Sequence, residues 1–161
     1  MRLQPLRLFA VALVALVSSA QAEPLRSSPL LGTWAVDTTR LPMPPQARPR
    51  SVTFTFAEAP NGGLATRVEV VDATGGKTQA ESIQPLDGTP TTVQGNLEAD
   101  IAAASMPASG VLVMQLARAG TPASTRIYTI TEGGAAMVET VAYFGTDGKP
   151  RTRSNYFSRL R

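Results

Sequence analysis

The sequence contains no cysteine and no histidine. The first absence excludes disulfides, thiolate nucleophiles, zinc–thiolate sites and a lipid-modified N-terminal cysteine. The second excludes a Ser-His-Asp triad. Aromatic residues make up only 6% of the chain, and they do not interleave with basic residues along a strand pattern. A stacking platform for single-stranded nucleic acid is therefore not expected. Gly-x-Ser-x-Gly, phosphate-loop, EF-hand and His-Glu-x-x-His signatures are also missing, so no catalytic residue, metal or cofactor is assigned. Only one long apolar run occurs, near the start, which leaves no integral membrane span for the rest of the chain.

That run belongs to an export signal. Arg2 and Arg7 supply a positive leader, residues 8–17 (LFAVALVALV) are continuously apolar, and Ala20-Gln21-Ala22 closes on a small-x-small pattern. A membrane span needs about 20 apolar residues, twice this length. Cleavage after Ala22 is expected, with Glu23 as the new N-terminus and the periplasm or the exterior as destination. Residues 23–161 then form a single domain. The 15 Lys and Arg against 12 Asp and Glu give the 161-residue chain a formal charge of +3. Cleavage removes two of those arginines and no acid, so the overall basicity argues little for a nucleic-acid partner.

The remaining chain is punctuated by turn signals such as Thr74-Gly75-Gly76-Lys77, Leu86-Asp87-Gly88, Glu132-Gly133-Gly134 and Asp147-Gly148-Lys149-Pro150. The segments between them are too short for packed helices and suit strands. Val52, Phe54 and Phe56 alternate with Thr53 and Thr55; Leu64, Val68 and Val70 oppose Arg67 and Glu69. Strands are predicted at 32–36, 50–57, 64–72, 77–84, 89–94, 100–106, 110–118, 123–131, 135–144 and 151–159. The segment 111–116 is apolar at nearly every position and reads as the most buried strand. A sheet this long with two free edges invites aggregation, and closure removes the edges. The fold class is therefore all-β: an antiparallel up-and-down meander of about 8–10 strands closed into a barrel, in preference to a sandwich.

Two stretches resist the pattern. Residues 96–106 (NLEADIAAASM) have the propensity of a short helix stopped by Pro107. Residues 41–49 (LPMPPQARP) hold four prolines and cannot join a ladder, so they form an extended loop, either a recognition segment or a stiff crossing of one barrel end.

At Gly32-Thr33-Trp34 the chain resembles the lipocalins and the wider calycin superfamily, in particular small exported bacterial lipocalin-like proteins. The Pro-rich loop at 41–49, the alternating strand from Ser51 to Phe56 and the Asp-Gly-Lys-Pro turn at 147–150 follow in the order of that group. The resemblance implies a barrel whose end is closed by Trp34, with a basic residue from near the last strand packed on the indole. Arg153 and Arg159 are both candidates; Arg159 is grouped with Gly32 and Trp34 as barrel closure. Ten strands place the chain nearer the fatty-acid-binding branch, where an inward Arg and Tyr hold a ligand head group.

That analogy, added to the strand pattern, selects the candidate ligand-binding residues. Arg153 shares one face of the last strand with Arg151, Asn155, Phe157 and Arg159. Tyr128 and Tyr143 are added by the resemblance. Glu69 and Glu139 sit mid-strand among apolar neighbours, able to balance inward arginines or to act as acid and base. Arg153, Glu69 and Glu139 have an alternative as solvated outer-face residues, the arginine face also as a basic patch near anionic lipid. The resulting expectation is a non-catalytic, exported barrel that binds a small apolar or amphipathic ligand. Its alternatives are a solid-packed barrel acting as an envelope interaction module, and an isomerase or hydrolase built on Glu69 or Glu139.

Overall fold

A computed structural model describes residues 25–95 and 98–161. The export signal at 1–22, and the first two residues of the 96–106 stretch, lie outside these. Ten strands are present: β1 (Gly32–Val36), β2 (Ser51–Glu58), β3 (Leu64–Val71), β4 (Lys77–Gln84), β5 (Thr91–Thr92), β6 (Ile101–Ala108), β7 (Val111–Arg118), β8 (Thr121–Thr131), β9 (Ala136–Phe144) and β10 (Pro150–Arg159). They form one antiparallel sheet in the order β4-β3-β2-β1-β10-β9-β8-β7-β6-β5. Every neighbour in that order is a chain neighbour except β1 and β10, which pair through Trp34↔Arg159, Ala35↔Ser158 and Val36↔Phe157. The meander expected from the turn spacing is thus the observed one.

The two outermost strands nearly close the barrel. Glu81 on β4 and Gln94, just beyond β5, exchange two backbone hydrogen bonds of 3.0 and 2.8 Å. Gly95 follows with φ +90°, and a Cβ there would run into the carbonyl of Gln79. Only glycine lets the backbone come this close. The predicted strand at 89–94 is accordingly reduced to two residues, because Pro90 has no N–H to give and the chain turns away at Gly95.

Alternation places the side chains as a single-layer barrel requires. Phe54 and Phe56 point inward and Thr53 and Thr55 outward, where the Thr55 hydroxyl lies 3.2 Å from that of Thr33. On β7, Leu112, Met114 and Leu116 are buried, whereas Val111 and Val113 are half-exposed. This strand is not buried on both faces as its composition suggested, because no second layer covers the outside. The helix propensity of 101–106 is also overridden. Ala102 and Ala104 face the core, and the backbone groups pair with β7. Pro107 sits where the β6–β7 register shifts, a position that needs no ladder N–H.

One end of the barrel is plugged. Leu30, Trp34, Leu112 and Met137 are fully buried there, and the indole N–H donates to the Leu30 carbonyl at 2.9 Å. The Arg159 guanidinium lies 4.1 Å above the indole ring and reaches three carbonyls: Leu31 at 2.7 Å, Gly134 at 2.7 Å, and Pro29. These tie the entering chain, β10 and the β8–β9 turn together. Gly32 makes room, since a Cβ there would stand 2.5 Å from the guanidinium. Above the plug, Phe54, Phe56, Tyr128 and Phe157 form a cluster of edge-to-face and tilted ring pairs with centroids 5.2–6.4 Å apart.

The Pro-rich segment lies across the opposite end. It holds the 3₁₀ turn Pro45–Ala47, follows the 3₁₀ turn Thr38–Arg40, and is anchored at its two ends by Arg40 stacked 3.2 Å over the Tyr156 ring and by Arg50 donating to the Ala73 carbonyl at 3.1 Å. Trp34→Ala is expected to lower unfolding stability by about 3–5 kcal/mol, as for other buried aromatics. Arg159→Lys keeps the charge but loses the fork, and is expected to cost about 1–3 kcal/mol through carbonyls left without donors. Urea titration of both variants tests this; a stability equal to wild type would remove the plug from its structural role.

Candidate functional site

The barrel is not packed solid. Between the aromatic cluster and the Pro-rich loop lies a cavity of about 450 Å³, open toward the loop end. Its walls are mainly apolar, with Val52, Phe54, Val68, Met114, Leu116 and Phe157 contributing, and Leu41, Pro42 and Met43 crossing its mouth. The size and character are those of a small-molecule site.

A polar array is set into one wall by strands β8, β9 and β10. Arg126 and Tyr128 are inward neighbours on β8, Glu139 faces them from β9, and Asn155 faces Glu139 from β10 in direct register. Glu139 is 1% exposed. It accepts from Arg126 Nη1 at 2.9 Å and from Asn155 Nδ2 at 2.5 Å, one donor to each oxygen. Arg126 also pairs with Glu98, which reaches in from the segment after β5 and is mostly exposed. Burial would lower the Arg126 pKa, but Tyr128 and Glu139 outweigh it and the net shift is upward. The Tyr128 phenol is held well above its ordinary range, first by burial and then by the Glu139 charge. Three buried polar atoms in the cavity wall have no hydrogen-bond partner among the described residues: Thr66 Oγ1, Arg153 Nε and Asn155 Oδ1.

Tyr128, Glu139 and Arg153 thus line one cavity. Tyr143 stands beside it, its ring centroid 5.7 Å from the Arg153 guanidinium. Gly32, Trp34 and Arg159 meet at the closed end, with Arg159 rather than Arg153 on the indole. Glu69 is elsewhere. It lies on the outer face of β3, exposed and paired with Arg67 at 3.0 Å, because the inward set of that strand is Leu64, Thr66, Val68 and Val70. As a cavity residue Glu69 is corrected to a surface carboxylate. The sequence reading passed over Arg126, Glu98 and Thr66. The signal for Arg126 was present, since it stands two residues from Tyr128 on one strand and must share its face.

An all-β antiparallel meander, plugged at one end by Trp34 and Arg159 and hollow toward the other, defines a nearly closed up-and-down β-barrel. No family model matches the chain, and no curated protein matches it. Among solved structures it is similar to the crystal structure of the wild-type fluorescent protein UnaG, with a TM-score of 0.48 and 14% identity, covering 81% of this chain and 96% of that one. An asparagine-to-alanine variant of UnaG gives a TM-score of 0.49 at 14% identity over 83% and 97% of the two chains.

The raised Tyr128 pKa has a consequence for stability. In base the folded protein keeps a proton that the unfolded chain releases, so the linked stability is complete below about pH 10 and falls as pH rises past it. Urea midpoints measured at about pH 8 and pH 11 should fall more steeply for wild type than for Tyr128→Phe. Equal slopes would mean that the phenol is free to ionise in the folded barrel.

Proposed function

We propose that this protein is an exported, non-catalytic carrier that takes a small, largely apolar ligand into its lumen. The observation that carries the reading is the 450 Å³ apolar-walled cavity, which a barrel used only as a rigid surface would fill with side chains. Burial of the ligand's apolar surface supplies the affinity, at roughly 25 cal/mol per Å² before the costs of association. The few polar groups on β8, β9 and β10 set orientation. Glu139 faces the cavity, yet each of its oxygens already accepts a hydrogen bond. That arrangement suits a carboxylate that balances Arg126 better than one that takes a proton from a substrate. Export rests on Arg2, Arg7, the apolar run at 8–17 and Ala20-Gln21-Ala22.

Native mass spectrometry of the chain exported and purified from a bacterial periplasm tests both parts. The expected spectrum has a protein mass beginning at Glu23 and a second species heavier by one small molecule, converted to the first by organic extraction. A chain that carries nothing, and that takes up no 1-anilinonaphthalene-8-sulfonate or decanol after extraction, would contradict the carrier reading. A mass beginning at Met1 would contradict export with cleavage.

A further inference from the structure

The outer wall of the barrel divides into two unlike parts. On β3 and β4 it is ionic: Arg67 pairs with Glu69 at 3.0 Å and with Glu81 at 3.2 Å. On β6, β7, β8 and β9 outward positions alternate with buried ones, and among the described residues none of the outward ones is Asp, Glu, Lys or Arg. The charges these strands carry are Arg126 and Glu139, which face the lumen, and Arg118, which ends β7 at the open rim. The middle of the outer face is a row in direct register across the four strands: Ser105, Val113, Ile127 and Thr140. Ile127 is 38% exposed, and Phe144, at the open-end margin of the face, is 73% exposed. The largest polar side chain on the face is already engaged, since Gln115 accepts from Thr125 Oγ1 at 2.6 Å and donates to the Ser124 carbonyl at 3.3 Å. Toward β10 the face ends at Tyr156, over which Arg40 is stacked. A four-strand face without a charge has the composition of an interface core, where charged residues are depleted.

Charge and size decide what covers it. The face offers nothing for an acidic, basic or nucleic-acid partner to read. Set against the β3–β4 wall of a second copy, it would strip water from Arg67, Glu69 and Glu81 and give them no new partner. Set against itself, it desolvates no ion. A contact that uses one patch on both copies is isologous and closes as a two-fold dimer. Four strands about 4.8 Å apart and about 27 Å long present roughly 500 Å² in projection. Two copies face to face then cover about 1,000 Å² in all, the threshold for a specific contact and the range of transient ones. A barrel wall is convex, so the closest approach falls on β7 and β8 and the association is weak.

We infer that the outer face of β6–β9 is a self-association surface that makes this chain a weak, two-fold homodimer. The inference is independent of what the lumen holds. A two-fold axis through the middle of the face sets Val113 of one copy against Ile127 of the other. Sedimentation velocity of the exported protein should show a monomer–dimer equilibrium with a dissociation constant of about 10–100 µM. With no ions in the contact, that constant should change less than about twofold between about 50 and 500 mM salt. Val113→Lys and Ile127→Glu should each weaken the dimer at least about tenfold, because each buries an unpaired charge. Mixed in equal amounts, the two variants should associate again, since the new ammonium and carboxylate meet across the axis. Thr140→Lys, at an exposed position in the same row, should also weaken the dimer and serves where either of the others fails to fold. Glu69→Lys, on the ionic wall, should leave it unchanged; urea midpoints confirm that each variant is folded. A chain that stays monomeric up to about 1 mM would overturn the inference. So would a dimer that Thr140→Lys leaves intact, or a mixture of the two charge variants that associates no better than either alone. A monomer that instead floats with neutral phosphatidylcholine vesicles would also overturn it, by assigning the face to a lipid surface.

Discussion

The Arg159 fork is the interaction on which the rest of the structure depends. One guanidinium covers the Trp34 indole and holds the carbonyls of Pro29, Leu31 and Gly134. It acts where β1 meets β10, the one pairing in the meander that is not between chain neighbours. Closing such a contact costs loop entropy that hairpins avoid, so the joint needs strong, directional partners. A planar fork meeting backbone carbonyls provides them in a way an ammonium cannot. The joint also sets the register of β10, which turns Asn155 and Arg153 inward toward the cavity two and three pleats above the plug.

The barrel divides its labour along its axis. The plug is apolar and sealed, the aromatic cluster above it is a rigid floor, and the cavity lies between that floor and the Pro-rich loop. Placing an Arg–Glu pair in the wall of an apolar cavity is not a route to stability, since the desolvation of two ions offsets most of their attraction. The pair is better understood through what it orients. Glu139 holds the Asn155 amide and adds to the burial that raises the Tyr128 pKa. The weak joint is at the other side of the barrel, where β4 and the chain after β5 share a single bridge.

The fold was largely legible in the sequence because its signals are local. Glycine and proline clusters mark the turns, and alternation marks the strands between them. The exceptions have tertiary causes. Residues 101–106 favour a helix alone and become a strand once β7 pairs with them; β5 shrinks because Pro90 and Gly95 release it from the ladder. The site was less legible. Alternation shows that Arg67 and Glu69 share a face, and their exposure follows from the apolar opposite face of β3. On β8, β9 and β10 the inward face is itself polar in part, so Arg126, Glu139, Arg153 and Asn155 have the pattern of an outer face until the barrel closes. Glu98 acts from a loop, where no periodicity exists to place it.

The central claim is that the lumen is the binding site and is separable from the plug that holds the fold. Val52 lines the cavity on β2, half-buried and away from Trp34 and Arg159. Val52→Trp fills that space with an indole at a cost or gain of no more than about 1–3 kcal/mol. Decanol titrated into wild type and into this variant, with urea stability measured on the same samples, is the most direct measurement. The account predicts a folded variant whose decanol affinity is at least about tenfold weaker, equivalent to 1.4 kcal/mol of lost binding. A folded variant that binds decanol as wild type does would place the ligand outside the lumen and contradict the account.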